Sequence, residues 1–208
     1  GGGMVRPDVE TFRTLARSGS AVPLVREVLA DLDTALAIFL KVDDGRFSFL
    51  FESNEGGEHW GRYSFIGIGA RAIFRAHAGR VEIQRGDELR KHELAADRSD
   101  DPLDHLRRLL AELAPTRLDD LPRFAGGAVG WLSYDAVRLF ERIPDRHPPA
   151  AAPDASFSFY PSLVAFDHVL QTLLLIADAA PGARSAFERA QDELDALEAD
   201  LRRPPADR

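Results

Sequence analysis

Hydrophobic residues recur along this chain in two periods. Val9, Phe12 and Leu15 share one side of residues 8–17, the spacing of an amphipathic helix. Residues 23–28 are short and apolar enough for a strand. Asp33 or Thr34 is placed to cap a second helix carrying Leu36, Phe39, Leu40 and Val42. Asp44-Gly45 signals a turn, after which Phe47, Phe49 and Phe51 alternate with smaller residues over 46–53, the period of a strand. Residues 63–78 and 80–84 predict two more strands joined at Ala78-Gly79. Arg85-Gly86-Asp87 then turns into a polar edge strand over 88–94.

Asp101-Pro102 opens a helix, Asp as N-cap and Pro at the first position, with Leu103, Leu106, Leu109, Leu110 and Leu113 on its apolar side. Residues 125–133 predict a buried strand with close-packed glycines, and 134–141 a helix. The Pro/Ala-rich run 146–153 predicts an irregular loop. Residues 156–166 and 169–177 alternate and predict a hairpin turning at Asp167-His168. Residues 184–203 predict an amphipathic helix with Phe187, Leu194, Leu197 and Leu201 inward, ended by Pro204-Pro205. Strands broken by a few helices, without βαβ alternation, place the chain in the α+β class with a mainly antiparallel sheet and several flanking helices.

Composition narrows the partners. A chain of 208 residues with 45% hydrophobic content suits one domain with a sizeable core, expected over residues 4–208. Residues 1–3, three glycines ahead of Met4, are expected to lie outside the native chain. The net charge of −8 repels phosphate backbones, so no nucleic-acid partner is expected. With no cysteine there is no disulfide, thiolate nucleophile or Cys-based zinc site. The apolar run 170–180 is too short to span a bilayer, and no secretion signal opens the chain, so a cytoplasmic protein without membrane contact is expected.

Most candidate chemistry dissolves on context. Gly67-Ile68-Gly69-Ala70-Arg71-Ala72 matches a dinucleotide fingerprint, with Asp87 at the distance of a ribose contact. No helix of useful length fits before Gly79, so a twisted strand with small residues is preferred to a cofactor loop. The histidines His59, His77, His92, His105, His147 and His168 show no metal-ligand spacing and read as surface residues. No G-x-S-x-G elbow occurs, and Gly126, Gly127 and Gly130 sit among apolar residues rather than before a Lys-Ser/Thr pair. Neither a catalytic nor a metal set, nor a cofactor, is therefore expected. The end of the Phe-rich strand is different. Glu52 and Ser53 follow it abruptly, before Asn54 and a Gly-Gly turn. Residue chemistry alone favours an ordinary strand end with Ser53 bonded into the turn. The other reading is a small-ligand site, in which a carboxylate takes an ammonium group and a hydroxyl or backbone amide takes a carboxylate.

Two blocks carry a family resemblance: LFESNEGGEHWGRYSFIG over residues 50–67 and PRFAGGAVGWLSYDAVRLFER over 122–142. Both are similar to the N-terminal half of anthranilate synthase component I, and the likeness extends from about Val9 to Leu201. It implies the sandwich-like half of that fold and an inhibitory site for free L-tryptophan. Ser53 is the main implied contact, with Glu52 and the Leu50 backbone beside it and Arg62 as a further candidate. Phe51 stands where the family usually has Leu. The family's enzyme converts chorismate and ammonia, delivered by a glutamine amidotransferase subunit, to anthranilate and pyruvate. Its chorismate pocket and magnesium carboxylates belong to a C-terminal domain whose motifs are not found here. The resemblance thus implies a tryptophan-sensing, scaffolding portion that is inactive alone. Two alternatives stand beside it: the equivalent portion of aminodeoxychorismate synthase component I, and a free-standing amino-acid-binding module.

Overall fold

The computed structural model describes residues 3–30, 33–52, 61–97, 99–139, 141, 144, 152–182 and 185–204. In chain order the elements are β1 (Val5–Arg6), α1 (Val9–Ala16), β2 (Val22–Leu29), α2 (Ala35–Val42), β3 (Phe49–Phe51), β4 (Tyr63–Gly67), β5 (Ala72–His77), β6 (Arg80–Arg85), β7 (Glu88–Glu93), α3 (Pro102–Leu113), β8 (Gly127–Leu132), a 3-10 helix (Tyr134–Leu139), β9 (Ala155–Tyr160), β10 (Ser162–Asp167), β11 (Thr172–Ala179) and α4 (Ala186–Leu201). The helices α1, α2 and α3 begin where side chains satisfy free backbone amides. Asp8 accepts from the Thr11 N–H at 2.8 Å, Thr34 from Ala37 at 3.1 Å, and Asp101 from Leu103 at 2.8 Å. Two antiparallel sheets with flanking helices give the α+β class that the pattern predicts.

The chain divides into two compact units, Gly1–Gly69 with Ala114–Gly126 and Tyr160–Arg208, and Ala70–Leu113 with Gly127–Phe159. The first holds a six-stranded sheet in the order β1-β2-β11-β10-β4-β3. Its central strands β10 and β11 are buried at every position. The register sets Val164 beside both Ile66 and Leu175, and Leu50 beside Ile66. That row forms one core with Leu24, Ile38 and Leu194. α4 supplies Ala186, Ala190, Leu194, Leu197 and Leu201, a three-and-four spacing that keeps one stripe against β11 and β2.

Ion pairs made by Arg26 and Arg62 fasten this unit. Arg26, buried on β2, donates to Asp195 at 2.6 Å and to Glu198 at 2.9 Å, both on α4. At the end of β10, one oxygen of Asp167 accepts from the Val169 and Leu170 N–H groups at 3.0 and 3.1 Å. Its other oxygen takes the Arg62 guanidinium at 2.7 and 3.0 Å. Burial pushes the Asp167 carboxyl up, but the Arg62 guanidinium and the two N–H donors outweigh it and hold the group below its ordinary value.

The second unit holds a five-stranded sheet in the order β7-β6-β5-β9-β8. Phe74, Val81, Ala155 and Phe159 pack with Leu106 and Leu109 of α3. At Gly130 on β8, a Cβ would lie 1.9 Å from the Ser156 carbonyl oxygen and 2.7 Å from the Phe157 Cα. Only glycine admits so close a backbone approach.

Several sequence expectations need correction. The strand predicted over 63–78 is two strands in different sheets, broken where Gly69 takes a φ of +64°. The strand predicted over 156–166 is likewise β9 in one sheet and β10 in the other. Continuous alternation runs through both breaks, because side-chain period says nothing about which sheet a strand joins. The β10–β11 turn spans residues 168–171, with Gln171 at a φ of +52°. α2 buries Ala35, Ile38 and Val42 and leaves Leu36 and Leu40 exposed, since a helix apolar all round has no periodicity to fix its inward face. β8 is half-buried to exposed rather than buried, being the edge of its sheet, and residues 134–139 form a 3-10 helix. Of the predicted 46–53 strand only Phe49–Phe51 is paired, Phe47 lying at a φ of +48°. Most of the predicted 146–153 loop lies outside the described residues.

Two outcomes test this packing. Gly130→Ala is expected to destabilise the protein by about 1–3 kcal/mol or more, because the added methyl meets backbone rather than a movable side chain. Urea denaturation measures it, and an unchanged midpoint would contradict the close approach. Asp167→Asn removes the charge from the Arg62 pair. A carboxylate with a lowered pKa stabilises the fold above its unfolded value, about 3.9, and loses that contribution as pH falls through the folded value. The stability gap between the native protein and Asp167→Asn is therefore expected to be full at neutral pH, at about 1.5–3 kcal/mol, and to close in acid. Denaturation curves at pH 7 and pH 2.5 compare the two, and a pH-independent gap would refute the charge pairing.

Candidate functional site

The end of β3 gathers the groups singled out in the first motif block. Among the described residues β3 is the outer strand of its sheet and pairs only with β4. An outer strand leaves one row of backbone N–H and C=O groups without a sheet neighbour. Leu50 turns inward and packs on the core. Phe49 and Phe51 project to the other face, their rings 4.8 Å apart.

That aromatic face is built from distant parts of the first unit. Phe124 meets Phe49 at 6.3 Å and Phe65 at 5.4 Å, both edge-on, and Tyr160 meets Phe49 edge-on at 4.9 Å. Edge-on contacts at such separations are the favoured aromatic geometry. The Tyr160 hydroxyl donates to the Phe47 carbonyl, tying down the approach to β3. Across the strand pair, Gly67 leaves room for the Phe49 ring, which a Cβ would meet at 2.1 Å. Phe51, at the end of the row, remains half exposed.

Glu52 follows directly and is exposed. Ser53, with the Gly-Gly turn after it, lies outside the described residues. Arg62 enters the start of β4 and is committed to Asp167, 105 residues away, with its guanidinium 5.1 Å from the Tyr63 ring centroid. The structure therefore gives Arg62 a fastening role that no local pattern reveals. Tyr63 is itself partly buried, which pushes its phenol up, while Arg62 draws it back down in part.

Leu50 and Glu52 thus stand together at one strand end, beside free backbone groups and a half-exposed ring. A carboxylate there can take an ammonium group, an edge amide or carbonyl can meet a small ligand's own polar groups, and the aromatic face offers an apolar wall. Sequence reasoning found the strand end but missed Phe124 and Tyr160 as part of its wall. Phe124 lies within the second motif block, a usable signal; Tyr160 carries none. A cleft lined by Ala30, Ile38, Lys41, Leu173, Leu201 and Arg202 contains no residue of either block. The rest of the second block enters the other unit, where Trp131 and Leu132 on β8 are half exposed and Tyr134 almost fully so.

Comparison with known proteins bears on the identity of this site. The chain is 36% identical over 201 residues to anthranilate synthase component 1 of Acinetobacter calcoaceticus, covering 93% of this chain and 39% of that protein. It is 38% identical over 200 residues to the Pseudomonas aeruginosa protein of the same name, covering 94% and 40%. The chain thus spans about two fifths of the length of these curated relatives. The crystal structure of anthranilate synthase component I from Streptococcus pneumoniae superposes with a TM-score of 0.52 at 23% identity, over 86% of this chain and 37% of that one, a likeness of fold. A family model described as chorismate binding enzyme matches residues 47–208, which include both motif blocks. The chain belongs to the chorismate binding enzyme family, and its relatives within it are components 1 of anthranilate synthase.

Proposed function

We propose that this chain is the tryptophan-sensing and scaffolding portion of an anthranilate synthase component I. In this reading the longer protein makes anthranilate from chorismate, with ammonia from a glutamine amidotransferase subunit, in the cytoplasm. The observation that carries it is the match to proteins of that name along more than nine tenths of this chain. The geometry at β3 supports the ligand. Free L-tryptophan needs a partner for its ammonium, a partner for its carboxylate and an apolar wall for its indole. Glu52, the open backbone edge around Leu50 and the Phe51 end of the aromatic row offer these types of contact at one place. Ser53 is assigned the hydroxyl contact. Arg62 acts through Asp167, holding the β4 side of the strand pair, rather than as the principal ligand contact.

Sensing is then a coupling between two sites. A ligand at the strand end shifts the activity of a chorismate site elsewhere in the longer protein only through differential affinity for two states of that protein. Chorismate chemistry, with its magnesium ion, is assigned to the remainder of the longer protein, so this chain alone is expected to form no anthranilate from chorismate, ammonia and magnesium. Fluorescent product above background from the purified chain would overturn that assignment.

Two measurements test the sensing site. In the full-length protein, Ser53→Phe is expected to relieve tryptophan inhibition while leaving uninhibited turnover nearly unchanged, because a ring fills the ligand's place. Retained sensitivity would make Ser53 a turn residue. On the present chain, calorimetry is expected to show weak tryptophan binding. A fully enclosed aromatic of this size buries about 150–250 Å². At ~25 cal/mol per Å², leaving half of it in water costs roughly 2–3 kcal/mol, and each ~1.4 kcal/mol is a factor of ten in affinity. A site that is micromolar in the full protein would weaken by about a hundredfold here. A dissociation constant below ~10 μM on this chain would instead make it a self-contained amino-acid-binding module.

A further inference from the structure

The histidines that show no metal spacing along the sequence are brought together by the fold. His92 Nε2 lies 2.5 Å from one carboxylate oxygen of Asp100, and His105 Nε2 lies 2.8 Å from the other. The two imidazole rings are 4.7 Å apart between centroids, and one ligand atom from each of the three residues falls within 4.8 Å of the others. Among the described residues this is the only group of three such side chains that could hold a metal ion.

The fold explains the convergence. His92 is opposite Val81 in the β6–β7 register, and opposed residues share a face. Val81 is buried against Leu106 and Leu109, so His92 leaves the sheet on the side that α3 covers. His105 lies in the first turn of α3, next to Leu106. Asp100 sits just before that helix, where Asp101 already caps it through the Leu103 N–H. A helix N-terminus disfavours a cation. Here two carboxylates, Asp100 and Asp101, stand at that end and offset it.

We propose that His92, Asp100 and His105 form a binding site for a divalent first-row transition-metal ion of the zinc class. Two imidazole nitrogens and one carboxylate oxygen are a donor set that suits zinc, cobalt, nickel or copper, whereas magnesium and calcium prefer oxygen alone. Around a tetrahedral ion at about 2.0–2.1 Å, neighbouring ligand atoms stand roughly 3.3 Å apart. The imidazoles meet different oxygens of Asp100, at 2.5 and 2.8 Å, so one oxygen must become the shared ligand; the three ligand atoms already lie within 4.8 Å of one another, and small side-chain rotations bring them to that spacing. Three protein ligands leave a fourth position, and the His92 side chain is 53% exposed, so that position faces water. Binding exchanges protons in a defined way. Each Nε2–H that donates to Asp100 must vacate its nitrogen for the metal. A neutral imidazole does so by moving its proton to Nδ1, and a doubly protonated one by releasing a proton to solvent. The Asp100 carboxylate faces both imidazoles and needs no large movement to coordinate. An ion here would pin the edge strand β7 to the start of α3.

The test titrates the metal-free chain with zinc chloride by calorimetry and with cobalt chloride by visible absorption. One ion per chain is expected, with the cobalt spectrum of a four-coordinate site. His92→Gln is an exposed edge-strand change that leaves the fold intact, which circular dichroism verifies, and Asp100→Asn is nearly isosteric. Changes outside the ligand shell alone typically cost about 10–100-fold in metal affinity, so each of these variants is expected to lose at least that much. His168→Gln, remote in sequence from the cluster, is expected to bind as the native chain does, and magnesium is expected to give no heat at the same concentration. Zinc binding that survives both ligand variants, magnesium binding as tight as zinc, or no zinc binding at ~100 μM would each overturn the site and leave the cluster as a hydrogen-bonded clip.

Discussion

A hairpin with no exposed strand residue organises the first unit. Antiparallel strands commonly keep one face wet, but β10 and β11 are buried on both. Burial on both faces forces neighbours onto each edge, and β4 and β2 supply them. At the turn the hairpin also takes in a buried charge. Asp167 takes that position, and its carboxylate is divided between two turn amides and one guanidinium. A buried carboxylate without such partners would cost several kcal/mol. The same contacts that neutralise it also fix where β4 begins, and β4 in turn carries β3.

Charge is handled alike elsewhere in the chain. Arg26 lies inside the sheet-to-helix layer with 6% of its surface exposed, and its guanidinium reaches two carboxylates on α4. Glu198 is also held by Arg202, and Asp195 is largely exposed, so Arg26 is the buried charge that removal of both carboxylates would leave without these partners. In the second unit, Asp100 joins a strand to a helix through two imidazoles.

The candidate sensing site owes its position to this hierarchy. β3 is three residues long, and among the described residues it is paired on one side and supported by the Phe49 ring seated over Gly67, by Phe124 and by Tyr160. A short strand anchored by aromatics and open at its edge combines a fixed wall with free backbone groups.

The sequence by itself determined where the four α-helices lie and where most strand residues fall. Asp101 caps where its position predicts, Thr34 is the one of the two predicted candidates that caps α2, and the leucine stripes of α3 and α4 turn inward as their spacing requires. These are local matters, settled by periodicity and by the chemistry of a few neighbouring residues. It also marked the Glu52 strand end, because a carboxylate at the close of a phenylalanine run is a visible break in pattern. Only the tertiary structure decided that residues 63–77 and 155–167 each serve two sheets, that Arg62 belongs to Asp167, and that His92, Asp100 and His105 meet. Each depends on which strand lies beside which. That choice is made by burial summed over the whole unit, and no window of a dozen residues contains it.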